Sequence, residues 1–155
     1  LGGATSDVLV MDLLGPSVEH LWWSSSAGTA LSPTCVLLLG VQMLGCLTAL
    51  HRAGYVHNDV KPSNFCLGLD GLAARRVHLV DFGLCTARGE PLEAAGTPLF
   101  SSVHAVRGGH AAPADDLESL VYTLAFLSRG RLPWEHESQT AATAPTGGGE
   151  TQALA

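Results

Sequence analysis

The amino-acid sequence predicts an α+β fold in which helices predominate, and three observations support this. The chain has 155 residues, 46% of them hydrophobic, which is enough to bury a core within one compact domain. Two long apolar segments, which begin near residues 33 and 115, carry helix start and stop signals. Four short apolar runs, each bounded by turn-forming residues, have the length of single strands.

The first two predicted elements are a strand and a long helix. Residues 8–11 form a short apolar run that predicts one buried strand, and turn-forming residues at 14–17 end it. Ser32 and Pro33 then provide an N-cap and a proline at the first helical position. The apolar helix that follows is predicted to stop near Gly54.

The remaining elements surround a polar loop. Residues 55–57 predict a brief strand, and residues 65–67 and 77–80 predict two more, joined through Asp70 and Gly71. Residues 90–113 read as a long irregular segment, which in a compact domain is usually functional or disordered. A second helix is predicted from Asp115 or Asp116 to Gly130, and residues 135–155 are a low-complexity tail expected to be disordered.

Composition excludes several functions. The net charge of -6 and the scattered arginines leave no basic patch, so we expect no nucleic-acid binding. The four cysteines lack a CxxC pair and predict reduced thiols in an intracellular protein, cytoplasmic or nuclear. The N-terminal residues do not have the pattern of a signal peptide. The apolar segment 35–50 is too short for a membrane span, so a helix buried in a soluble domain is expected and no membrane partner.

The densest chemistry lies in one loop, which contains the single lysine of the chain and reads His57-Asn58-Asp59-Val60-Lys61-Pro62-Ser63-Asn64. This pattern predicts the catalytic loop of a protein kinase, with Asp59 as base and Lys61 as stabiliser of the transferring phosphoryl group. Asn64 and Asp81 offer oxygen ligands that suit Mg²⁺, and Asp81 opens an Asp-Phe-Gly motif directly after a predicted strand. Each motif alone could be an ordinary turn, but their order makes coincidence improbable.

On these motifs the chain resembles the casein kinase 1 superfamily, which includes the tau-tubulin and vaccinia-related kinases. The matching segments are residues 10–17, 55–65, 96–97 with 102–104, 115–120 and 129–134. The resemblance covers residues 7–134 and implies a protein-kinase-like fold, mostly the helical C-lobe plus a hinge strand, with the N-lobe and the last C-lobe helices missing. It implies ATP- and Mg²⁺-dependent phosphorylation of serine and threonine hydroxyls in protein substrates, and leaves the oligomeric state open.

The resemblance also implies an adenine site. Met11 would be the gatekeeper, backbone groups of Asp12 and Leu14 would bind the adenine, and Cys66 would lie on its floor. Ordinary core packing is the alternative role for Met11 and Cys66.

Two further residues would organise the catalytic loop. Thr97 would bond near Asp59 and Lys61, and Asp116 would anchor the backbone of the loop. The alternative role for Asp116 is a helix N-cap.

Three departures from the family pattern bear on activity. Asn58 and Leu99 stand where the family has arginines that bind phosphate, so neither control by activation-loop phosphorylation nor preference for primed substrates is expected. Because a kinase needs a second lysine for the nucleotide phosphates, the chain is expected to be a fragment inactive on its own. The alternative is a non-catalytic pseudokinase or scaffold. Without the remaining helices, apolar surface should be exposed and favour association.

Overall fold

A computed structural model describes residues 8–92 and 96–135 of the chain. The predicted tail from residue 136 onward lies outside the described residues. Helices predominate over two small antiparallel sheets, in agreement with the predicted fold class. The elements are α1 (Val18–Ser26), α2 (Pro33–Arg52), β1 (Tyr55–Val56), β2 (Phe65–Leu67), β3 (Val77–Leu79), β4 (Thr86–Ala87), α3 (Val103–Val106) and α4 (Pro113–Arg129). Single 3-10 turns occupy Pro62–Asn64 and Ala73–Arg75.

The prediction of a strand at residues 8–11 is wrong. Residues 8–16 are outside any strand, and the apolar side chains of residues 8–11 are exposed, Met11 by 59%. A strand needs a neighbour to satisfy its backbone and to cover its side chains, and within the described residues none lies beside this run. The segment meets the fold only at its end, where the amide of Gly15 donates to the carbonyl of Leu67 at 2.8 Å.

Helix α1 follows at once and was not predicted. The hydroxyl of Ser17 caps it by accepting a hydrogen bond from the amide of His20 at 3.1 Å. Val18 and Trp22 are buried, and the Trp22 ring lies 4.7 Å from the ring of Phe126 on α4. The helix therefore depends on one capping residue and on tertiary packing more than on a periodic apolar pattern.

Helix α2 begins as predicted and buries one face. The Ser32 hydroxyl accepts from the amide of Cys35 at 3.3 Å, and Val36, Leu39, Met43 and Leu47 join the core. By length and composition alone this helix could also cross a membrane, a test that core helices of soluble proteins pass as well. Burial is limited to this face, because the opposite face is exposed at Leu37, Leu38, Val41 and Leu44.

The strands pair as two antiparallel ribbons that bring the polar loop and the later chain together. In the first ribbon Val56 pairs with Thr86, and in the second Phe65 pairs with Leu79. The connection between β2 and β3 is longer than a tight turn, since it includes the Ala73–Arg75 turn. Phe65 is fully buried and belongs to the core to which α1, α2 and α4 contribute.

Helix α4 begins at Pro113, before the predicted start at Asp115 or Asp116, and its N-cap is Ala112. The alternative role of Asp116 as an N-cap is therefore wrong. The backbone amide of Ala112 is instead satisfied by the carboxylate of Asp115 at 3.1 Å. Short helix α3, capped by Ser102, interrupts the segment predicted to be irregular.

Candidate active site

The carboxylate of Asp59 is the centre of the site. It lies in the loop between β1 and β2 and is 8% exposed. One oxygen, Oδ1, accepts hydrogen bonds from the amide of Thr97 at 2.9 Å and from its hydroxyl at 2.8 Å. The other, Oδ2, lies 2.7 Å from Nζ of Lys61 and accepts from Nδ2 of Asn64 at 3.0 Å. Four donors from three residues therefore fix the carboxylate.

These contacts determine the charge of the carboxylate. Burial alone would raise the pKa of Asp59, but the hydrogen bonds from Lys61 and Thr97, with the positive charge of Lys61, outweigh it and lower the pKa below its usual value. Asp59 is therefore ionised at neutral pH. Lys61 Nζ also donates to the Thr97 hydroxyl at 2.8 Å, so the three side chains form a closed triangle.

The backbone before Asp59 is held from α4. One oxygen of the Asp116 carboxylate accepts from the amide of His57 at 2.8 Å, and the other accepts from the amide of Asn58 at 2.9 Å. Asp116 is 1% exposed, so two backbone donors that face the interior depend on it. Its contacts are those of an anchor for the loop backbone, the position that the resemblance implied.

His51 also belongs to this anchor, and sequence reasoning missed it. Its Nε2 lies 2.7 Å from Oδ2 of Asp116. The only signal in the sequence is its place at the end of α2, six residues before His57. His57 is fully buried; its Nε2 bonds the carbonyl of Val80 at 3.1 Å, and its Nδ1 accepts from the amide of Asp59 at 3.3 Å.

Asn64 and Asp81, the predicted metal ligands, lie at the same end of the second ribbon. The amide of Val80 donates to the carbonyl of Asn64 at 2.9 Å, so Asp81 follows one residue beyond that pair. Nδ2 of Asn64 donates to the backbone and to the side chain of Asp59, so the side-chain oxygen Oδ1 is the atom that could bind a metal ion. Asp81 is exposed and has a φ of 62°, a left-handed conformation that non-glycine residues seldom adopt. Both residues offer oxygen donors of the type that Mg²⁺ prefers.

The predicted adenine residues are only partly brought together. Ser17 forms an isolated bridge with Cys66, and the amide of Leu67 donates to the carbonyl of Pro16 at 2.9 Å. Cys66 is half-buried beside this crossing, and burial raises the pKa of its thiol. Met11, Asp12 and Leu14 lie on the segment that leads into the crossing, where Met11 and Asp12 are exposed. Core packing of Met11, the alternative role, is wrong.

Gly96 allows the later chain to approach the catalytic loop. A Cβ atom at this position would overlap the backbone carbonyl of Asn58 and crowd the carboxylate of Asp59. The absence of a side chain at Gly96 is what permits the next residue, Thr97, to reach Asp59 with both its amide and its hydroxyl.

Comparisons with known proteins identify the family to which the chain is similar. A family model described as the protein kinase domain matches residues 5–147. Casein kinase 1-like protein HD16 of Oryza sativa subsp. japonica is 43% identical over 141 residues, a match that covers 83% of this chain. The chain spans 20% of the length of that curated relative.

Proposed function

Because the chain belongs to the protein kinase family, and to its casein kinase 1-like members, we propose that it carries the catalytic loop of a serine/threonine protein kinase. The reaction would be phosphoryl transfer from ATP to the hydroxyl groups of protein substrates. The observation that supports this best is the Asp59 carboxylate, ionised and fixed by Lys61, Asn64 and Thr97. A turn with a capping aspartate would need no such arrangement.

Asp59 and Lys61 have separate tasks in this proposal. Asp59 accepts a hydrogen bond from the attacking hydroxyl and thereby orients it, and it takes the proton as the bond to phosphorus forms. A carboxylate with a lowered pKa is a weak base, so its main contribution is position rather than proton abstraction. Lys61 offers a positive charge beside the same point, where negative charge on the transferring group needs neutralisation.

Asn64 and Asp81 would hold Mg²⁺, with further ligands from water and from the phosphates of ATP. Bound Mg²⁺ neutralises phosphate charge during transfer. In this assignment the described helices belong to the C-lobe, and residues 11–14 with Cys66 line the adenine side of the site. Thr97 shapes the place of the substrate hydroxyl through its bonds with Asp59 and Lys61.

A second candidate function is that of a non-catalytic scaffold, and the single lysine favours it. Lys61 is committed to Asp59 and Thr97 by contacts of 2.7 and 2.8 Å, so it is not free to bind the α- and β-phosphates. A kinase uses a different lysine for that purpose. We therefore propose that the 155-residue chain alone does not turn over ATP, whichever function is correct.

A chimeric enzyme separates the two candidates. Residues 8–134 of this chain would replace the matching segment in the rice relative, whose own domain is the positive control. The kinase proposal expects Mg²⁺-dependent phosphorylation of casein by the chimera and a loss of about a hundredfold or more on Asp59→Asn. Asp70→Asn, an exposed aspartate, is the matched control and should change nothing.

A folded chimera without activity would support the scaffold function and overturn the kinase proposal. A parallel assay uses the 155-residue chain with ATP, Mg²⁺ and casein. Turnover that Asp59→Asn abolishes would show that the proposed inactivity of the isolated chain is wrong.

A further inference from the structure

The side-chain amide of Asn58 bridges the catalytic loop and the segment that follows Asp81. Its Nδ2 donates to the carbonyl of Leu84 at 2.7 Å and to the hydroxyl of Thr86 at 2.9 Å. A longer contact of 3.4 Å reaches the carbonyl of Val56. Because Nδ2 faces a carbonyl oxygen, the orientation of the amide is fixed; a flipped amide would place two oxygens against each other.

The two halves of the segment at residues 82–92 are held by different contacts. Backbone hydrogen bonds attach the second half: Arg88 donates to Gly54, Gly89 and Glu90 bond Ala111, and Leu92 donates to Gly109. Phe82 and Leu84 are 52% and 40% exposed, so their apolar side chains contribute little burial. A cavity of about 660 Å³ lies beside the segment, with Asn58 and Cys85 in its lining. The first half is held by the hydrogen bonds of β4 with β1, by those of Asn58, and by an edge contact of the Phe82 ring with the His57 ring at 5.5 Å.

The backbone conformation of Asn58 allows this contact. Its φ is 66°, a left-handed conformation that asparagine adopts more readily than most residues. Its amide is fixed by Asp116 at 2.9 Å. Oδ1 is buried and has no hydrogen-bond partner among the described residues. A buried acceptor without a partner is unfavourable. The hydrogen bonds that Nδ2 donates therefore account for the position of this side chain.

We propose that Asn58 is a positioning residue that latches residues 82–92 onto the catalytic loop without any phosphate. An arginine at this position would carry a charge that calls for an anionic partner. The neutral amide of Asn58 instead finds its two acceptors within the chain, so the segment is held as soon as the protein folds. The latch would keep the proposed kinase site in one arrangement; its role in catalysis rests on the proposed function, but its test does not.

The test is hydrogen exchange by mass spectrometry on the unphosphorylated 155-residue chain, whose state an intact mass confirms. Asn58→Asp keeps the size of the side chain and the tolerance of a positive φ, and loses both N–H donors. Asn58→Gly removes the side chain and leaves the backbone unstrained. Thr86→Val removes one acceptor, and Thr86→Ser is its matched control.

In the unchanged chain, the amides of residues 84–90 should be protected. Both Asn58 variants should exchange these amides about tenfold faster, as expected for the loss of two neutral hydrogen bonds. Thr86→Val should accelerate them about threefold to fivefold, and Thr86→Ser should match the unchanged chain. The β2–β3 ribbon is the internal reference, and its exchange should not change, because a global loss of stability would accelerate both regions.

Two results would overturn the latch. One is rapid exchange of residues 84–90 in the unchanged chain, equal to that of Asn58→Gly. The other is an acceleration in the Asn58 variants that is no larger in this segment than in the β2–β3 ribbon. Neither measurement needs phosphoryl transfer, so failure of the latch and failure of the kinase proposal are distinguishable.

Discussion

Replacement of Asp116 by alanine should destabilise the protein more than any other change at the site. The carboxylate accepts from His57 and Asn58 amides at 2.8 and 2.9 Å, and lies 2.7 Å from His51 Nε2. Hydrogen bonds to a charged group contribute about 1.5–3 kcal/mol each, and each buried donor left unpaired costs about 1–3 kcal/mol. These terms overlap, so we expect a loss of about 3–5 kcal/mol from the free energy of unfolding.

Urea denaturation followed by tryptophan fluorescence measures this loss. Asp115→Ala is the matched control, because Asp115 is buried in the same first turn of α4 but bonds Ser102 and His104 instead of the loop. Both variants remove a negative charge from the helix N-terminus. Only Asp116→Ala should accelerate hydrogen exchange of residues 56–59. Asp116→Asn keeps one acceptor and should cost about 2 kcal/mol.

The anchor role of Asp116 would be refuted by a free energy of unfolding for Asp116→Ala within about 1 kcal/mol of that of the unchanged protein, the range of ordinary substitutions. It would equally be refuted if Asp115→Ala released the loop amides as strongly as Asp116→Ala. In that case the start of α4, rather than the contacts of one carboxylate, would hold the backbone before Asp59.

Three more predictions follow from the structure. Folding lowers the pKa of Asp59 below 3.8, so the ionised carboxylate stabilises the fold above that pH. The stability advantage over Asp59→Asn, measured by urea titrations, should therefore be lost as the pH falls below 3.8 and through the lower pKa of the folded state, and a constant difference would contradict this. Gly96→Ala should cost about 2 kcal/mol or more and release Thr97 in hydrogen exchange, and a neutral effect would disprove the close approach. Val41 is 72% exposed in the apolar groove between α2 and α4. Val41→Glu should therefore reduce association of the protein, measured by light scattering. The same change at Val106, 62% exposed on α3, should reduce it less.

The sequence predicted best those elements whose signals are local. Helix α2 was predicted from Ser32, Pro33 and its apolar run, and these residues act in the structure as expected. The strand at residues 8–11 failed because strand formation depends on a neighbouring strand, which composition does not reveal. Helix α1 was missed for a related reason: its apolar residues, among them Trp22, are buried by α4 from about a hundred positions away.

The same distinction holds within the site. The motif indicated Asp59, Lys61 and Asn64 because their spacing within one loop is a property of the sequence. The bond between His51 and Asp116 joins residues 65 positions apart, and no local pattern predicts it. Resemblance to a family supplied Thr97 and Asp116, which periodicity and composition could not have identified.

The contacts around Asp59 indicate which step distinguishes the two candidate functions. Asp59 is fixed by Lys61, Asn64 and Thr97, and Asp116 holds the backbone before it. All of these contacts join residues of this chain, so the chain itself supplies the organisation of the loop. The only lysine of the chain, Lys61, is however bound to Asp59 and Thr97 in this loop. A kinase and a scaffold built on this chain would share the same geometry around Asp59, and they would differ in whether another group binds the nucleotide phosphates. Nucleotide binding, rather than the catalytic loop, is therefore the step that separates the two functions.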